Sequence, residues 1–127
     1  MQYDLPNYLS QLNPLRCSSV AATANGSPID LSIFTGQRII FRLDAGNSSA
    51  GTNPTLDLAF KESTDNSNWT NSNVAFTQVT AASLQTLGYD TRAHGRYLRL
   101  DATIGGTNTP AFPACVIGMA QREYNPG

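Results

Sequence analysis

Charge is what this chain most lacks. Asp, Glu, Lys and Arg supply 13% of its 127 residues, against a usual share of about 25%. Lysine is nearly absent: Lys61 is the only one, and the remaining cations are arginines. The net charge is −1. No basic field exists to gather a phosphate backbone, so nucleic acid is excluded as a main partner. Long apolar runs are missing too. Nothing approaches the roughly 18 residues that a membrane-spanning helix needs. The opening "MQYDLPNYLSQLNPL" has no basic cluster followed by an apolar stretch, so it does not read as a secretory signal. The expectation is synthesis in a cytoplasm and no membrane partner.

Catalytic and metal-binding residue types are equally sparse. His94 is the only histidine, and Cys17 and Cys115 are the only cysteines. Zinc needs several such ligands, and these three are scattered. There is no GxSxG elbow and no phosphate-cradling glycine motif. "DTRAH" brings Asp90 close to His94 in sequence, but spacing within a loop fixes no geometry. The expectation is no enzyme, no cofactor and no metal. In a reducing cytoplasm both cysteines are expected to be free and buried. The alternative is a disulfide joining the first and last strands, should these be neighbours.

What replaces charge is Ser, Thr and Asn. Such a surface suits a crowded β-protein, and it equally suits packing against other protein. The apolar residues alternate in short runs. "TLDLAFKES" (55–63) sets Leu56, Leu58 and Phe60 against Asp57, Ala59 and Lys61. "RYLRLDATI" (96–104) sets Leu98, Leu100, Ala102 and Ile104 against Tyr97, Arg99, Asp101 and Thr103. Period two is the mark of a half-buried strand. Further strands are expected at 16–22, 29–34, 37–44, 74–79, 83–89 and 114–122, with loops at 45–54 and 105–113. Seven or eight short strands and no long helix predict an all-β, antiparallel β-sandwich, jelly-roll or immunoglobulin-like, over residues 16–127. No internal repeat is visible, which argues against a propeller or solenoid.

Residues 1–15 read as an N-terminal extended arm. Pro6 and Pro14 interrupt it, and Tyr8, Leu9, Leu12 and Leu15 are spaced for one or two helical turns between them. Its large apolar side chains are too many for an idle tail. Tyr3, Leu5, Tyr8, Leu9 and Leu12 are therefore expected to contact a neighbouring subunit, with the two long loops as further contact candidates.

"KESTDNSNWT" (61–70) holds the only tryptophan. A calcium loop of the EF-hand type needs a central glycine and a closing acid, and neither is there. "NWT", "NGS" and "NSS" match the glycosylation sequon, but without a secretory route the modification is not expected. Trp69 is expected to close over the sandwich edge as a lid after a polar turn built on Asp65, Asn66 and Asn68. The alternative is a carbohydrate-binding loop end lined by Trp69, Tyr89, Arg92 and His94. Arg99 and Asp101 share a strand face and are candidates for an ion pair.

The order of these motifs resembles a family of small tailed-bacteriophage virion proteins. The resemblance rests on "TLDLAFKESTDNSNWTNSNVAFTQVT", "LGYDTRAHGRYLRLDATIGGTNTPAF" and the earlier "NGSPIDLSIFTGQRIIFRLDAG", and covers roughly residues 17–122. The Arg-Tyr-Leu-Arg-Leu strand is also similar to a late strand of discoidin-like sandwiches. One departure is Asn66-Ser67-Asn68, where the family pattern has Asp-Gly. The resemblance implies a head decoration or cement protein on the capsid exterior. Its partners would be the major capsid protein and copies of itself, as a dimer or trimer. It implies no catalytic residues.

Overall fold

Alternation sorts the side chains before any tertiary contact is made. In the strand Arg38–Ala45, Ile39, Phe41, Leu43 and Ala45 are buried while Arg38, Ile40, Arg42 and Asp44 face outward. A chain of such segments can bury its apolar faces only by stacking two sheets. The computed structural model describes residues 9–32 and 38–121. It contains β1 (Leu9–Val20), β2 (Ile29–Asp30), β3 (Arg38–Ala45), β4 (Thr52–Ser63), β5 (Thr70–Ala75), β6 (Ser83–Asp90), β7 (Tyr97–Thr107) and β8 (Phe112–Gln121).

One four-stranded sheet has the order β1-β8-β3-β6 and the other β2-β7-β4-β5, with neighbouring strands antiparallel. This pairs the first strand with the last and makes the chain cross repeatedly between sheets. It is the jelly-roll arrangement of two Greek keys. The immunoglobulin alternative would keep strands one and two side by side, and it does not hold. Between the sheets, Phe41 and Phe60 lie 4.7 Å apart. Tyr89 lies 5.7 Å from Phe60, and Phe76 lies 6.0 Å from it. Leu43, Leu56, Leu58, Leu98, Phe112 and Val116 complete the packing, each fully or nearly fully buried.

The arm expected over residues 1–15 does not reach residue 15. β1 begins at Leu9, so the boundary drawn between residues 15 and 16 falls inside a strand. Leu12 and Leu15 pack against the core of their own chain rather than forming helical turns. The register explains the misleading spacing. It steps from Leu12↔Gly118 to Leu15↔Val116 to Ser18↔Ala114, three residues of β1 against two of β8 each time. Two bulges thus turn a period of two into an apparent period of three. Pro14 is tolerated because β1 is an edge strand with one neighbour. Tyr3, Leu5 and Tyr8 lie outside the described residues. Leu9 and Leu12 are sheet residues, not a free arm.

The cysteine expectation is also corrected. Cys17 and Cys115 form a disulfide, with Cα atoms 4.2 Å apart. Cys17 is exposed and Cys115 half-buried, on the outward side of adjacent strands. Smaller shifts concern β2, which spans two residues, and β5, which ends at Ala75 rather than starting at Val74. The "FTQV" segment that follows still bonds β4, through Phe76 N–H to the Leu58 carbonyl (3.0 Å) and paired Val79–Leu56 bonds (2.9 Å).

Candidate functional site

The strand order gathers the loops at two ends. At one end lie the 63–70 and 90–97 connections and the start of β1. There β4 runs out in the inward phase Leu56, Leu58, Phe60, so Glu62 follows with a carboxylate where an apolar residue would fit. That carboxylate meets His94: Glu62 Oε2 and His94 Nδ1 form a short, half-buried contact. The imidazole stacks on Tyr89 at 4.4 Å. The row Phe76–Phe60–Tyr89–His94 therefore runs from the core to the surface.

Tyr89 is fully buried, and its Oη has no hydrogen-bond partner among the described residues. Burial pushes its phenol well above the ordinary range, and the Glu62 charge adds to that. It stays a protonated, unsatisfied donor. Tyr89→Phe is accordingly expected to leave stability unchanged or raise it by up to about 1–2 kcal/mol, measured by urea unfolding. A loss above about 1 kcal/mol would mean that the hydroxyl has a partner.

Beside His94 is a cleft of about 410 Å³ lined by Leu31, Ser32, Thr91, Arg92, His94, Gly95 and Arg96. Its cations are already engaged. Arg96 forks onto Asp30, with Nε–Oδ1 at 3.0 Å and Nη2–Oδ2 at 2.8 Å. Asp90 caps the 3-10 turn Thr91–Ala93, accepting from Arg92 N–H at 3.0 Å and from its Nε at 3.4 Å. The neighbour that the sequence offered His94 was Asp90, and the fold supplies Glu62 instead. An acid in an apolar inward row was the available signal.

Of the four carbohydrate-site candidates, Arg92 and His94 share the cleft, while Trp69 does not line it. Tyr89 has no ring face free for a ligand. Trp69 is half-buried, outside the core cluster, with the Arg99 guanidinium 4.6 Å above its ring. It is a lid, but over the outward face of β7 rather than over the core. Beneath it Arg99 pairs with Asp101: Nη2 donates to Oδ2 at 3.2 Å, and Nε lies 2.9 Å from Oδ1 without hydrogen-bond alignment.

The polar turn before Trp69 is closed by its own side chains. Asp65 accepts from Ser67 N–H (2.9 Å), Asn68 N–H (2.8 Å), Asn68 Nδ2 (2.8 Å) and Ser63 Oγ (2.9 Å). Asn66 takes the left-handed conformation, φ 61°, which Asn tolerates at low cost. Three of these donors converge on Oδ1 and one reaches Oδ2. Donors from Asn68 and Ser67 hold the Asp65 carboxyl well below the usual carboxylate range. Its folded pKa lies under the unfolded value near 3.9, so its stabilising contribution is present above about pH 4. That contribution is lost as pH falls through the folded value. An NMR titration of the Asp65 carboxyl carbon is expected to show a midpoint clearly below that of an unfolded peptide, and an equal midpoint would refute it.

The opposite end gathers the 45–54 and 105–113 segments, which the fold knits together. Gly46 N–H donates to the Pro113 carbonyl and Ser49 N–H to the Ala111 carbonyl, both at 2.8 Å. Ala111 N–H donates to Ser48 Oγ at 2.9 Å, and Asn108 Nδ2 to Thr52 Oγ1 at 3.1 Å. Asn47 Oδ1 accepts from Ala82 N–H at 2.8 Å. Residues 52–54, 105–107 and 112–113 of these segments are strand. Among the described residues no group of three or more His, Cys, Asp or Glu is placed to hold a metal ion. No helix there is long and apolar enough to cross a membrane.

No family model matches the sequence, and no curated protein does. Solved structures do share the fold. The SPBc2 prophage-derived protein YomS superposes with a TM-score of 0.55 at 8% identity, over 89% of this chain and 92% of that one. A chain of the IBDV viral particle superposes at 0.58 and 9% identity, over 90% of this chain and 31% of its own length. An endo-1,4-beta-D-xylanase of Clostridium thermocellum, complexed with xylohexaose, reaches 0.49 at 12% identity over 95% of this chain and 27% of that one, too low to carry an argument. At these identities the likeness is one of fold.

Proposed function

We propose that this chain is a structural component of a bacteriophage virion, a decoration or cement protein. It binds the major capsid protein and copies of itself on the capsid exterior and stabilises the head, and it has no catalytic role. The observation that carries the reading is the jelly-roll fold of this chain, which superposes on a prophage-derived protein along 92% of that protein's length. The viral-particle domain of the same fold supports it. So does the character of the two loop ends, where Asp65, Asn68, Asp30, Arg96, Asn47 and Ser48 spend their side chains on internal bonds. Such a molecule works through its surfaces: sheet faces and edges that bury area across a subunit joint.

The test is attachment. Purified protein added to particles assembled without it is expected to co-sediment with them, saturate at a fixed copy number and raise the temperature at which the shell releases its contents. Absence of saturable attachment would overturn the proposal. The alternative, a carbohydrate-binding module on a tail or host-facing surface, needs an open aromatic platform, and the Trp69 ring already carries Arg99. A glycan array is expected to show no saturable binding. Binding that disappears in Trp69→Ala would reverse the ranking.

A further inference from the structure

A sheet face in contact with water normally carries polar side chains on its outward phase. The outer face of β1-β8-β3-β6 departs from that. The outward row of β8 is Pro113, Cys115, Ile117 and Met119, without a charge or a hydrogen-bonding side chain apart from the disulfide sulfur. Register places Met119 beside Ile40 and Ile117 beside Arg42, and Asp44 lies between Cys115 and Leu84. Ile40 is 46% exposed, Met119 43%, Ile117 38% and Leu84 63%, the exposed large apolar side chains among the described residues. All four lie on this one face. Scattered exposed apolar residues need no explanation, but a contiguous set on one sheet does.

The charges in the patch matter as much as the apolar atoms. Arg42 and Asp44 both point outward, two residues apart on β3. Neither has a hydrogen-bond or ion-pair partner among the described residues, whereas Asp30, Asp90, Arg92, Arg96, Arg99 and Asp101 are all paired. We propose that this face binds the same face of a second copy about a two-fold axis, with the two β3 strands antiparallel across the joint. The axis passes between residues 42 and 44, so Arg42 of each copy meets Asp44 of the other. β8 then lies over β8, and its apolar row packs on the identical apolar row. An isologous joint requires such self-complementarity. The pair of opposite charges supplies it, whereas β3 stacked parallel on β3 would set like charges face to face.

The area suffices. Four strands about 4.8 Å apart and eight residues at about 3.4 Å each give a face of roughly 500 Å². Two copies would bury about 1,000 Å², at the lower bound for a specific interface. Area does not fix affinity, but a face with few large apolar anchors and a solvent-exposed charge pair belongs with weak interfaces, so the expected dissociation constant is micromolar, on the order of 1–100 µM. This deepens the self-association part of the proposed function and rests on no contact with a capsid. A failed attachment assay and a failed dimer assay are separate results.

Sedimentation equilibrium of the full chain is expected to show a monomer–dimer equilibrium in that range. Arg42→Asp alone sets four carboxylates against one another, and Asp44→Arg alone sets four guanidinium groups together. Each is expected to weaken dimerisation at least about tenfold while the monomer stays folded by circular dichroism. Mixing the two variants restores opposite charges at both contacts, so heterodimers are expected at near wild-type affinity. Ile117→Asp is expected to abolish the dimer, and removal of residues 1–8 to leave it intact. A wild-type monomer at all concentrations would overturn the proposal. So would a trimer, a mixture that stays monomeric, or a dimer lost on removing residues 1–8, which would make the N-terminal segment the occupant of the face.

Discussion

Reduction of the Cys17–Cys115 bond is expected to lower the unfolding free energy by about 2–4 kcal/mol. The bond links residues 98 apart in sequence. A cross-link removes chain entropy from the unfolded state, and for a loop of about 100 residues that contribution reaches ~4.7 kcal/mol. The bond also ties β1 to β8, and β1 is an edge strand with bulges that cost it regular ladder bonds. Its loss therefore removes a restraint where the sheet has least to replace it. Urea unfolding with and without reductant, together with Cys17→Ser/Cys115→Ser, measures the effect. The variant is expected to match the reduced protein, and its amide protection is expected to fall first in β1. An unchanged midpoint on reduction would show that the two thiols are not joined. Because Cys17 is exposed, reduction should proceed without global unfolding, and closure should follow transfer from a reducing to an oxidising medium.

Phe60→Ala is expected to cost about 3–5 kcal/mol. Phe60 is fully buried at the centre of the aromatic row, in contact with Phe41, Phe76 and Tyr89. Truncation removes the transfer free energy of a benzyl group and leaves a cavity that both sheets border. β4 cannot move in to fill it, because its backbone is held by β7 along nearly its whole length. Tyr89 loses a tilted ring contact, and with it part of the support on which His94 stacks. Thr64→Ala, in the exposed turn after β4 and away from the outer face of β1-β8-β3-β6, serves as the control and is expected to change stability by less than about 0.5 kcal/mol. Guanidinium unfolding of both variants decides the matter. A cost below about 1 kcal/mol for Phe60→Ala would place Phe60 outside the core.

Some of this architecture is plain in the chain. The alternation of 55–63 and 96–104 assigned residues to a face, and the structure keeps those faces. The polar turn at Asp65–Asn68 was legible because Asp and Asn bond their own backbone, a local matter. Leu12 and Leu15 were not legible as strand, because a bulge alters the period and only pairing with β8 reveals it. Glu62 and His94 were not legible as a pair, since they lie at the ends of different elements and 32 residues apart. The abundance of asparagine finds its reason in geometry as well. Asn53, Asn66, Asn73 and Asn108 all adopt positive φ, at bulges and turns that no local pattern predicts in full.

By itself, the amino-acid sequence determined an antiparallel β-sandwich, low in charge, with a single histidine and two cysteines. These follow from composition and from a period of two, which act within a few neighbouring residues. Only the tertiary structure decided which strands are neighbours. It joined the first strand to the last, turned two cysteines from buried thiols into a surface disulfide, gave His94 to Glu62, and placed Trp69 over Arg99. It also collected Ile40, Leu84, Ile117 and Met119 on one outer face. Strand order is set by contacts between residues far apart in the chain, whose closure entropy local propensity does not encode.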